Sequence, residues 1–217
     1  LYIEDVDTAG HDFGPDSREL NAAVARVDAA IGQFLAGLQT RKIQANLVIV
    51  ADHGMAATAP ERAIILDDLL PLAAIRTTGL GAFLAGAAVP GREAEVDTAL
   101  LRPHANMECW RRGDIPAKHR YGSHRRVQPI FCLPRTGWEI TSRERYAKDP
   151  PGGFNHGFDP AAPEMRALFI GVGPAFRAGA RPPVFDNVDV YPLMARLLGV
   201  PPEPNDGDLD ELAPTLQ

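Results

Sequence analysis

The amino-acid sequence predicts an α/β fold: a mostly parallel sheet covered by helices on both faces, with a small antiparallel inserted region. Two runs, "NLVIVA" at residues 46–51 and "ALFIGVG" at residues 167–173, are apolar over the length of one strand. Such runs are typical of strands buried on both faces of a sheet. Amphipathic helical patterns accompany both runs, as expected when helices cover a sheet. Residues 104–148 instead break into short apolar runs between Pro and Gly, which predicts the antiparallel insertion.

The first 51 residues predict one βαβ unit. Residues 1–4 are predicted as the end of a strand, and residues 46–51 as the second strand, joined by a right-handed crossover. Between them, apolar side chains recur every three or four residues from 17 to 38, which predicts a helix with one apolar face. Asp16 and Glu19 are predicted to cap this helix. The apolar face consists of Leu20, Ala23, Val24, Val27, Ile31, Phe34, Leu35 and Leu38.

The later elements continue the layered pattern. Residues 187–199 predict a final amphipathic helix that ends at Gly199, with Pro201 following. Inside the inserted region, three short strands are predicted at residues 107–111, 127–133 and 137–141. With 217 residues, of which 45% are apolar, the chain can bury one core of ordinary size, and we expect one compact unit.

Composition limits the partners. The formal net charge of −6 disfavours general binding to nucleic-acid polymers or anionic membranes, because such binding draws on an excess of Lys and Arg. No apolar run approaches the roughly 20 residues of a membrane-spanning helix. The chain starts at Leu1 within a predicted strand, so we expect it to be part of a longer protein. Cys109 and Cys132 form no C-x-x-C motif and are predicted either as buried thiols or as a disulfide.

Three separated stretches carry the residues that could do chemistry. Asp7 and His11 follow the first predicted strand, the pair Asp52 and His53 follows the second, and His156 lies in the glycine-rich "PPGGFNHGFDP". Ligand sites of open parallel sheets lie beyond the carboxyl ends of the strands, so we expect these groups to converge there. Gly54 is predicted to let the chain turn, so that both Asp52 and His53 face one ion.

Carboxylates and imidazoles without thiolates are typical of a hydrolytic zinc site rather than a structural one. Five ligands are too many for one tetrahedral ion and too few for two, which need about six to eight. The remaining ligands are therefore expected upstream of Leu1. Each residue alone is more often a cap or a satisfied hydrogen-bonding group than a ligand, so the prediction depends on their combination. Thr8 and Thr58 neighbour these stretches, but neither is favoured as a nucleophile.

The other three histidines lie in a basic stretch of the inserted region. This stretch is either a solvated face or a surface that steers an anionic substrate. Its members are His104, His119, His124, Arg111, Arg112, Arg120, Arg125 and Arg126. The sequence has no G-x-S-x-G elbow and no P-loop, which leaves serine-hydrolase and P-loop functions without support.

Four stretches resemble the later half of the nucleotide pyrophosphatase/phosphodiesterase family, in the alkaline phosphatase superfamily. They are "YIEDVDTAGHDFGPDS", "IVADHGM", "FNHGFDPAAPEMRALFIGVGPAF" and "FDNVDVYPLMARLLGVPPEPNDG". The resemblance implies that Asp7, His11 and His156 bind one zinc ion and that Asp52 and His53 bind a second. It also implies that residues 1–217 are the C-terminal part of one alkaline phosphatase-like catalytic domain, with the insertion at about 104–148.

The resemblance also implies that an additional Asp ligand and a Thr nucleophile lie in the N-terminal part of the catalytic domain, which precedes Leu1. No catalytic residue is therefore assigned in this chain. The expected reaction is hydrolysis of nucleotide phosphodiester or pyrophosphate bonds through a phospho-threonine intermediate, releasing a nucleoside monophosphate. There are two alternatives. One is a phosphonate hydrolase or phosphomonoesterase of the same superfamily, and the other is a non-catalytic fragment that binds metal or nucleotide. The whole enzyme is expected to be periplasmic or secreted.

Overall fold

The computed structural model describes residues 1–122 and 124–217, and these form two compact units. The first comprises Leu1–Val27 and His53–Arg166, and the second comprises Asp28–Asp52 and Ala167–Gln217. Length and composition led us to expect one compact unit, whereas the described residues form two. Each unit is assembled from two separated stretches of the chain, and composition carries no information about such connectivity. Among the described residues, no helix combines the length and apolar character needed to cross a bilayer.

The described residues contain five α-helices and ten strands in an α/β arrangement. The helices are α1 (Asp5–Phe13), α2 (Arg18–Thr40), α3 (Glu93–Leu100), α4 (Arg143–Lys148) and α5 (Val190–Leu198). The strands are β1 (Leu47–Val50), β2 (Ala56–Thr58), β3 (Ala63–Ile65), β4 (Ile75–Gly79), β5 (Leu84–Ala88), β6 (Met107–Arg111), β7 (Ile130–Pro134), β8 (Glu139–Thr141), β9 (Gly153–Asn155) and β10 (Phe169–Val172). The predicted helices at 17–38 and 187–199 are confirmed as α2 and α5.

The predicted first strand is wrong. Residues 1–4 form no strand, Leu1 and Tyr2 are exposed, and α1 begins at Asp5. Only Ala9 and Gly10 of α1 are buried, so the helix has no run of large apolar residues to mark it. A nine-residue helix is too short to be stable alone, and its stability depends on tertiary packing.

The cap predicted for α2 is also wrong. Asp16 has a φ of 64°, in the left-handed region, and Ser17 accepts a hydrogen bond from the backbone N–H of Leu20 through its Oγ at 3.0 Å. Ser17 therefore satisfies a free N–H group of the first turn. The predicted apolar face of α2 is buried only in part: Ala23 is fully buried, whereas Phe34 remains exposed.

The sheets are mixed, and the prediction of a mostly parallel sheet is not confirmed. Among the described strands, β3 and β8 pair in parallel, whereas β1–β10, β2–β9 and the four-stranded sheet β4-β5-β7-β6 are antiparallel. The predicted βαβ unit is wrong, because residues 1–4 form no strand, and the strand predicted at 46–51, which is β1, pairs antiparallel with β10 instead. Two of the antiparallel strands predicted within residues 104–148 are present as β6 and β7, which pair with each other, and β7 also pairs with β5. The third, predicted at 137–141, corresponds to β8, but it pairs in parallel with β3.

The four-stranded sheet buries the main core of the first unit. Leu84, Leu100, Ile140 and Met107 pack there with their neighbours. Cys109 and Cys132 are directly opposite on β6 and β7 and form a disulfide, which settles the alternative left open by the sequence. On the other face of these strands the rings of Trp110, Tyr121 and Phe83 contact Phe131. Burial there raises the pKa of the Tyr121 phenol above its usual value.

The second unit packs β1 and β10 against its own small core. Val48 and Phe169 contact the cluster around the fully buried Leu193 of α5. The helix ends at Gly199, whose φ of 68° gives the left-handed cap expected there. The prediction that both faces of these strands are buried is wrong, because Ile170 is 45% exposed and Val172 46% exposed.

Candidate metal centre

Helix α1 presents a carboxylate and an imidazole on one face. Asp7 and His11 are four residues apart, which places them one above the other along a helix. Asp7 Oδ2 lies 3.7 Å from His11 Nε2, a separation beyond hydrogen-bonding distance. Both side chains are 35% exposed. The two ligand-type atoms therefore lie near each other without a hydrogen bond between them, in a partly exposed position.

The His11 ring is oriented by a backbone group of β9. His11 Nδ1 lies 3.0 Å from the carbonyl oxygen of Phe154, which can only accept, so Nδ1 carries the proton and donates. In the neutral ring, Nε2 then carries a lone pair that is available to a metal ion. The Phe154 ring also packs on Gly14, where an added Cβ would come within 2.1 Å of the ring. These two contacts hold α1 against β9.

The ladder between β2 and β9 brings two further histidines together. Ala56 pairs with Asn155, so the residues before Ala56 and after Asn155 lie at the same end of the ladder. His53 precedes Ala56, and His156 follows Asn155. Their rings stack with centroids 3.5 Å apart and planes 10° apart. The antiparallel register thus explains how residues separated by about a hundred positions meet.

The "DHG" turn is fixed by a close approach of the backbone. His53 Nδ1 lies 3.0 Å from the carbonyl oxygen of Gly54 and donates to it, which leaves Nε2 as an acceptor. Gly54 donates its N–H to Met165 O at 3.1 Å, and a Cβ added to Gly54 would lie 2.1 Å from Glu164 O. The glycine is needed because two backbone segments touch, and not for the conformational freedom expected from the sequence.

His156 completes a cluster with the two donors of α1. Its Nε2 lies 3.9 Å from Asp7 Oδ1, and its ring centroid lies 5.0 Å from that of His11. One donor atom from each of Asp7, His11 and His156 lies within 4.8 Å of the other two. The structure therefore brings together three of the five predicted ligands, with the His53 ring stacked on the third.

Asn155 and Glu139 support this cluster and were not predicted. The backbone N–H of His156 donates to Asn155 Oδ1 at 2.9 Å, and Asn155 Nδ2 donates to Glu139 Oε1 at 2.8 Å. The amide of Asn155 thereby ties the start of the His156 loop to β8. Adjacency to His156 in "FNHG" was the available sequence signal for Asn155, whereas nothing in the sequence pointed to Glu139.

The remaining candidates are not members of the cluster of Asp7, His11 and His156. Asp52 immediately precedes His53 in the chain and belongs to the second unit. Thr58 lies on β2 opposite Gly153 and is only 8% exposed, which does not suit a nucleophile. Thr8 is exposed on α1. His104, His119 and His124 are outside the cluster.

The donor set suits zinc. A tetrahedral ion with bonds of about 2.0–2.1 Å places neighbouring donors about 3.3 Å apart. The separations of 3.7 Å and 3.9 Å from Asp7 to the two imidazoles are slightly wider, so a small contraction would give that geometry. The hydrogen bond from His11 Nδ1 to a carbonyl oxygen is the usual outer support of a zinc-bound histidine.

Comparison with known proteins decides the family. The family model described as type I phosphodiesterase / nucleotide pyrophosphatase matches residues 1–159. The chain belongs to this family. An uncharacterized pyrophosphatase/phosphodiesterase of Schizosaccharomyces pombe is 33% identical over 98% of the chain and 47% of its own length. A bis(5'-adenosyl)-triphosphatase of Mus musculus is 33% identical over 96% of the chain and 45% of its own length.

Solved structures of phosphodiesterase family members share the fold. Human ectonucleotide pyrophosphatase/phosphodiesterase 5 superposes with a TM-score of 0.90 at 31% identity, covering 100% of this chain and 58% of that one. An inactive threonine-to-alanine variant of the murine protein, in complex with AMP, gives the same TM-score. The fold is therefore alkaline phosphatase-like. The chain spans about half the length of the curated relatives that it matches.

Proposed function

We propose that the protein containing this chain is a two-zinc hydrolase of phosphodiester or pyrophosphate bonds in nucleotides. The observation that carries the proposal is the convergence of one carboxylate and two imidazoles, with their donor atoms within 4.8 Å of one another. Membership of the nucleotide pyrophosphatase/phosphodiesterase family supports the substrate class. The murine relative that was solved in complex with AMP supports a nucleoside monophosphate as the product.

In this proposal, Asp7, His11 and His156 hold one ion. Nε2 of His11 is the ligand atom, because Nδ1 is occupied by Phe154 O. Asp52 and His53 hold the second ion, and His53 also binds through Nε2, since its Nδ1 donates to Gly54 O. When bound, the two zinc ions supply Lewis acidity that stabilises oxyanions and lowers the pKa of a hydroxyl or a water.

The chain's own residues fix positions and charge. The carboxylate of Asp7 lies 3.7 Å from His11 Nε2 and 3.9 Å from His156 Nε2, so its charge is close to both imidazoles, and the Asn155 amide holds the backbone from which His156 projects. Phosphoryl transfer depends mainly on positioning and charge neutralisation, so rigid ligands of this kind are what the reaction requires. The Phe154 and Gly54 carbonyls select the ring nitrogen that faces the site.

We assign the nucleophile to a threonine that forms a phospho-threonine intermediate. This threonine is expected in the part of the protein that corresponds to the unmatched half of the relatives. The burial of Thr58 is consistent with this assignment. So is the murine relative described as inactive when a threonine is replaced by alanine. The additional Asp ligand predicted from the family resemblance is assigned to the same part.

Replacement of His156 by Ala in the whole protein tests the proposal. We expect the loss of about one zinc ion per chain, measured by elemental analysis, and of most hydrolysis of thymidine 5'-p-nitrophenyl phosphate. The matched control is His124→Ala, which removes an exposed histidine outside the cluster. Wild-type turnover with full zinc in His156→Ala would contradict the proposal. A preference for p-nitrophenyl phosphate over the diester would instead indicate a phosphomonoesterase.

We also propose that the protein works in the periplasm or outside the cell. The support is the disulfide between Cys109 and Cys132, since disulfides persist mainly in oxidising compartments. Fractionation of the native host by osmotic shock, followed by immunoblotting, tests the location. Recovery of the protein with the cytosolic markers would contradict it.

A further inference from the structure

A cleft on the outer face of β6 and β7 holds a buried histidine that the metal centre does not use. The cleft has a volume of about 440 Å³, within the range of about 300–1,000 Å³ typical of small-molecule sites. Glu108, Trp110 and Leu133 line it from the sheet, and Lys118 and His119 from the segment after β6. None of the five predicted zinc ligands lines it.

The strand register explains why this face of the sheet is available. Glu108 pairs with Leu133, and Trp110 pairs with Phe131. Directly opposed residues share a face, and alternate residues point to opposite faces. Met107 and Cys109 therefore point into the core, and Trp110 points outward. The side chain of His119 lies against the Trp110 ring, with centroids 5.6 Å apart.

His119 has an unsatisfied nitrogen in this cleft. Its side chain is only 5% exposed, and Nδ1 is buried with no hydrogen-bond partner among residues 1–122 and 124–217. A buried polar atom without a partner is costly, so such an atom at the wall of a cleft marks a place for a ligand or a water molecule. The nearest acid is Asp159, at 3.9 Å from Nδ1 to Oδ1.

Asp159 is flanked by two basic groups at similar separations. Its Oδ1 lies 3.9 Å from His119 Nδ1, and its Oδ2 lies 4.0 Å from Lys118 Nζ. The N–H of Ala161 donates to Oδ1 at 2.9 Å and fixes the carboxylate. Both gaps exceed hydrogen-bonding distance. Because His119 Nδ1 has almost no accessible surface, its ring must turn slightly toward the cleft to admit an oxygen atom within about 2.8 Å of both neighbours. The carboxylate can therefore accept two hydroxyl groups side by side.

We propose that this cleft binds a ring that carries a vicinal diol. The two adjacent hydroxyls donate to the two oxygens of Asp159, and they accept hydrogen bonds from His119 and Lys118. The apolar face of the ring packs on Trp110. The formal charges of the lining cancel, since Lys118 and Arg135 balance Asp159 and Glu108, which favours a neutral ligand over a phosphate. Both the ribose of a nucleoside and a free sugar have this chemistry.

Calorimetric titration of the whole protein with two pairs of probes tests the proposal. Adenosine is compared with 2'-deoxyadenosine, which lacks the diol. Methyl α-D-glucopyranoside is compared with tetrahydropyran-2-methanol, which keeps the ring without the vicinal hydroxyls. We expect the diol member of at least one pair to bind about tenfold more tightly than its partner. The partner lacks a hydroxyl that would satisfy buried polar groups of the cleft. The pair that responds identifies the source of the ring.

Two variants place the binding in the cleft. His119→Phe keeps a ring against Trp110 without the nitrogen, and Lys118→Met removes the ammonium from a side chain that is 67% exposed. Each should weaken binding of the diol probe about tenfold, whereas His124→Ala should not change it. If His119→Phe fails to fold, Lys118→Met alone decides the outcome.

Three results would overturn the proposal: no binding of either diol probe at millimolar concentration, equal binding of both members of each pair, or unchanged binding in the variants. The first would leave ordered water as the occupant of the gap. His156→Ala should bind the diol probe as wild type does. The experiments therefore distinguish a failure of the cleft proposal from a failure of the metal-centre proposal.

Discussion

Replacement of Gly54 by Ala should damage both the fold and the metal centre. The added Cβ would lie 2.1 Å from Glu164 O and 2.8 Å from Arg166 O, and both are backbone atoms that cannot rotate away. To open the first contact from 2.1 Å to 3.0 Å, one segment must move by about 0.9 Å. The hydrogen bond from Gly54 N to Met165 O joins the same two segments, so this movement also strains that bond.

The expected magnitude follows from these contacts. Overpacking of this kind costs about 1–3 kcal/mol, and a weakened backbone hydrogen bond adds about 1 kcal/mol. We therefore expect urea unfolding to show a loss of about 2–4 kcal/mol in the free energy of unfolding. His53 is adjacent to Gly54 and must move with it. A misplacement of about 1 Å at a reacting centre can cost about 100-fold in rate, so diesterase activity should fall by about that factor.

Gly32→Ala is the matched control. Gly32 lies within α2, is exposed, and has nothing within 4 Å of an added Cβ. Alanine is favoured over glycine in a helix by about 0.5–1 kcal/mol, so this variant should be slightly more stable and fully active. If Gly54→Ala unfolds at the wild-type urea concentration and keeps wild-type turnover, the close approach at this turn has no structural importance.

Three further predictions concern the site and its support. Asn155→Ala should weaken zinc binding about tenfold or more in a chelator competition titration, because the amide orients the His156 segment, and an unchanged affinity would contradict this. The double variant Cys109→Ala/Cys132→Ala should lose about 3 kcal/mol in urea unfolding, as expected for a sequence separation of 23, and a loss below about 1 kcal/mol would show that the cross-link contributes little. Dialysis against a chelator should abolish diester hydrolysis and zinc should restore it, whereas activity that survives in metal-free protein would exclude the two-zinc proposal.

The sequence predicted the long, periodic elements well. The helix pattern at 17–38 corresponds to α2, and the run at 107–111 corresponds to β6. It also identified the histidines that meet, since the ring of His156 contacts the rings of both His11 and His53. Periodicity and ligand-type residues are local properties, and local properties can be read from one sequence.

Strand direction and the first helix were not predictable in the same way. An apolar run is compatible with either direction of pairing, and the antiparallel partnership of β1 with β10 depends on more than a hundred intervening residues. Helix α1 buries only Ala9 and Gly10, so hydrophobic periodicity does not mark it, and "LYI" before it favoured a strand. Support by Glu139 is likewise invisible, because it depends on β8 lying beside the His156 loop.

Helix α1 shows how a weak local element can hold a rigid ligand geometry. Nine residues do not form a stable helix alone, so the one-turn spacing of Asp7 and His11 depends on the contacts between α1 and β9. One of these contacts is made by His11 itself, whose Nδ1 donates to Phe154 O while Nε2 faces Asp7. The same imidazole therefore anchors the helix and offers a ligand atom. In this arrangement a loss of helix packing and a loss of the metal site are a single event.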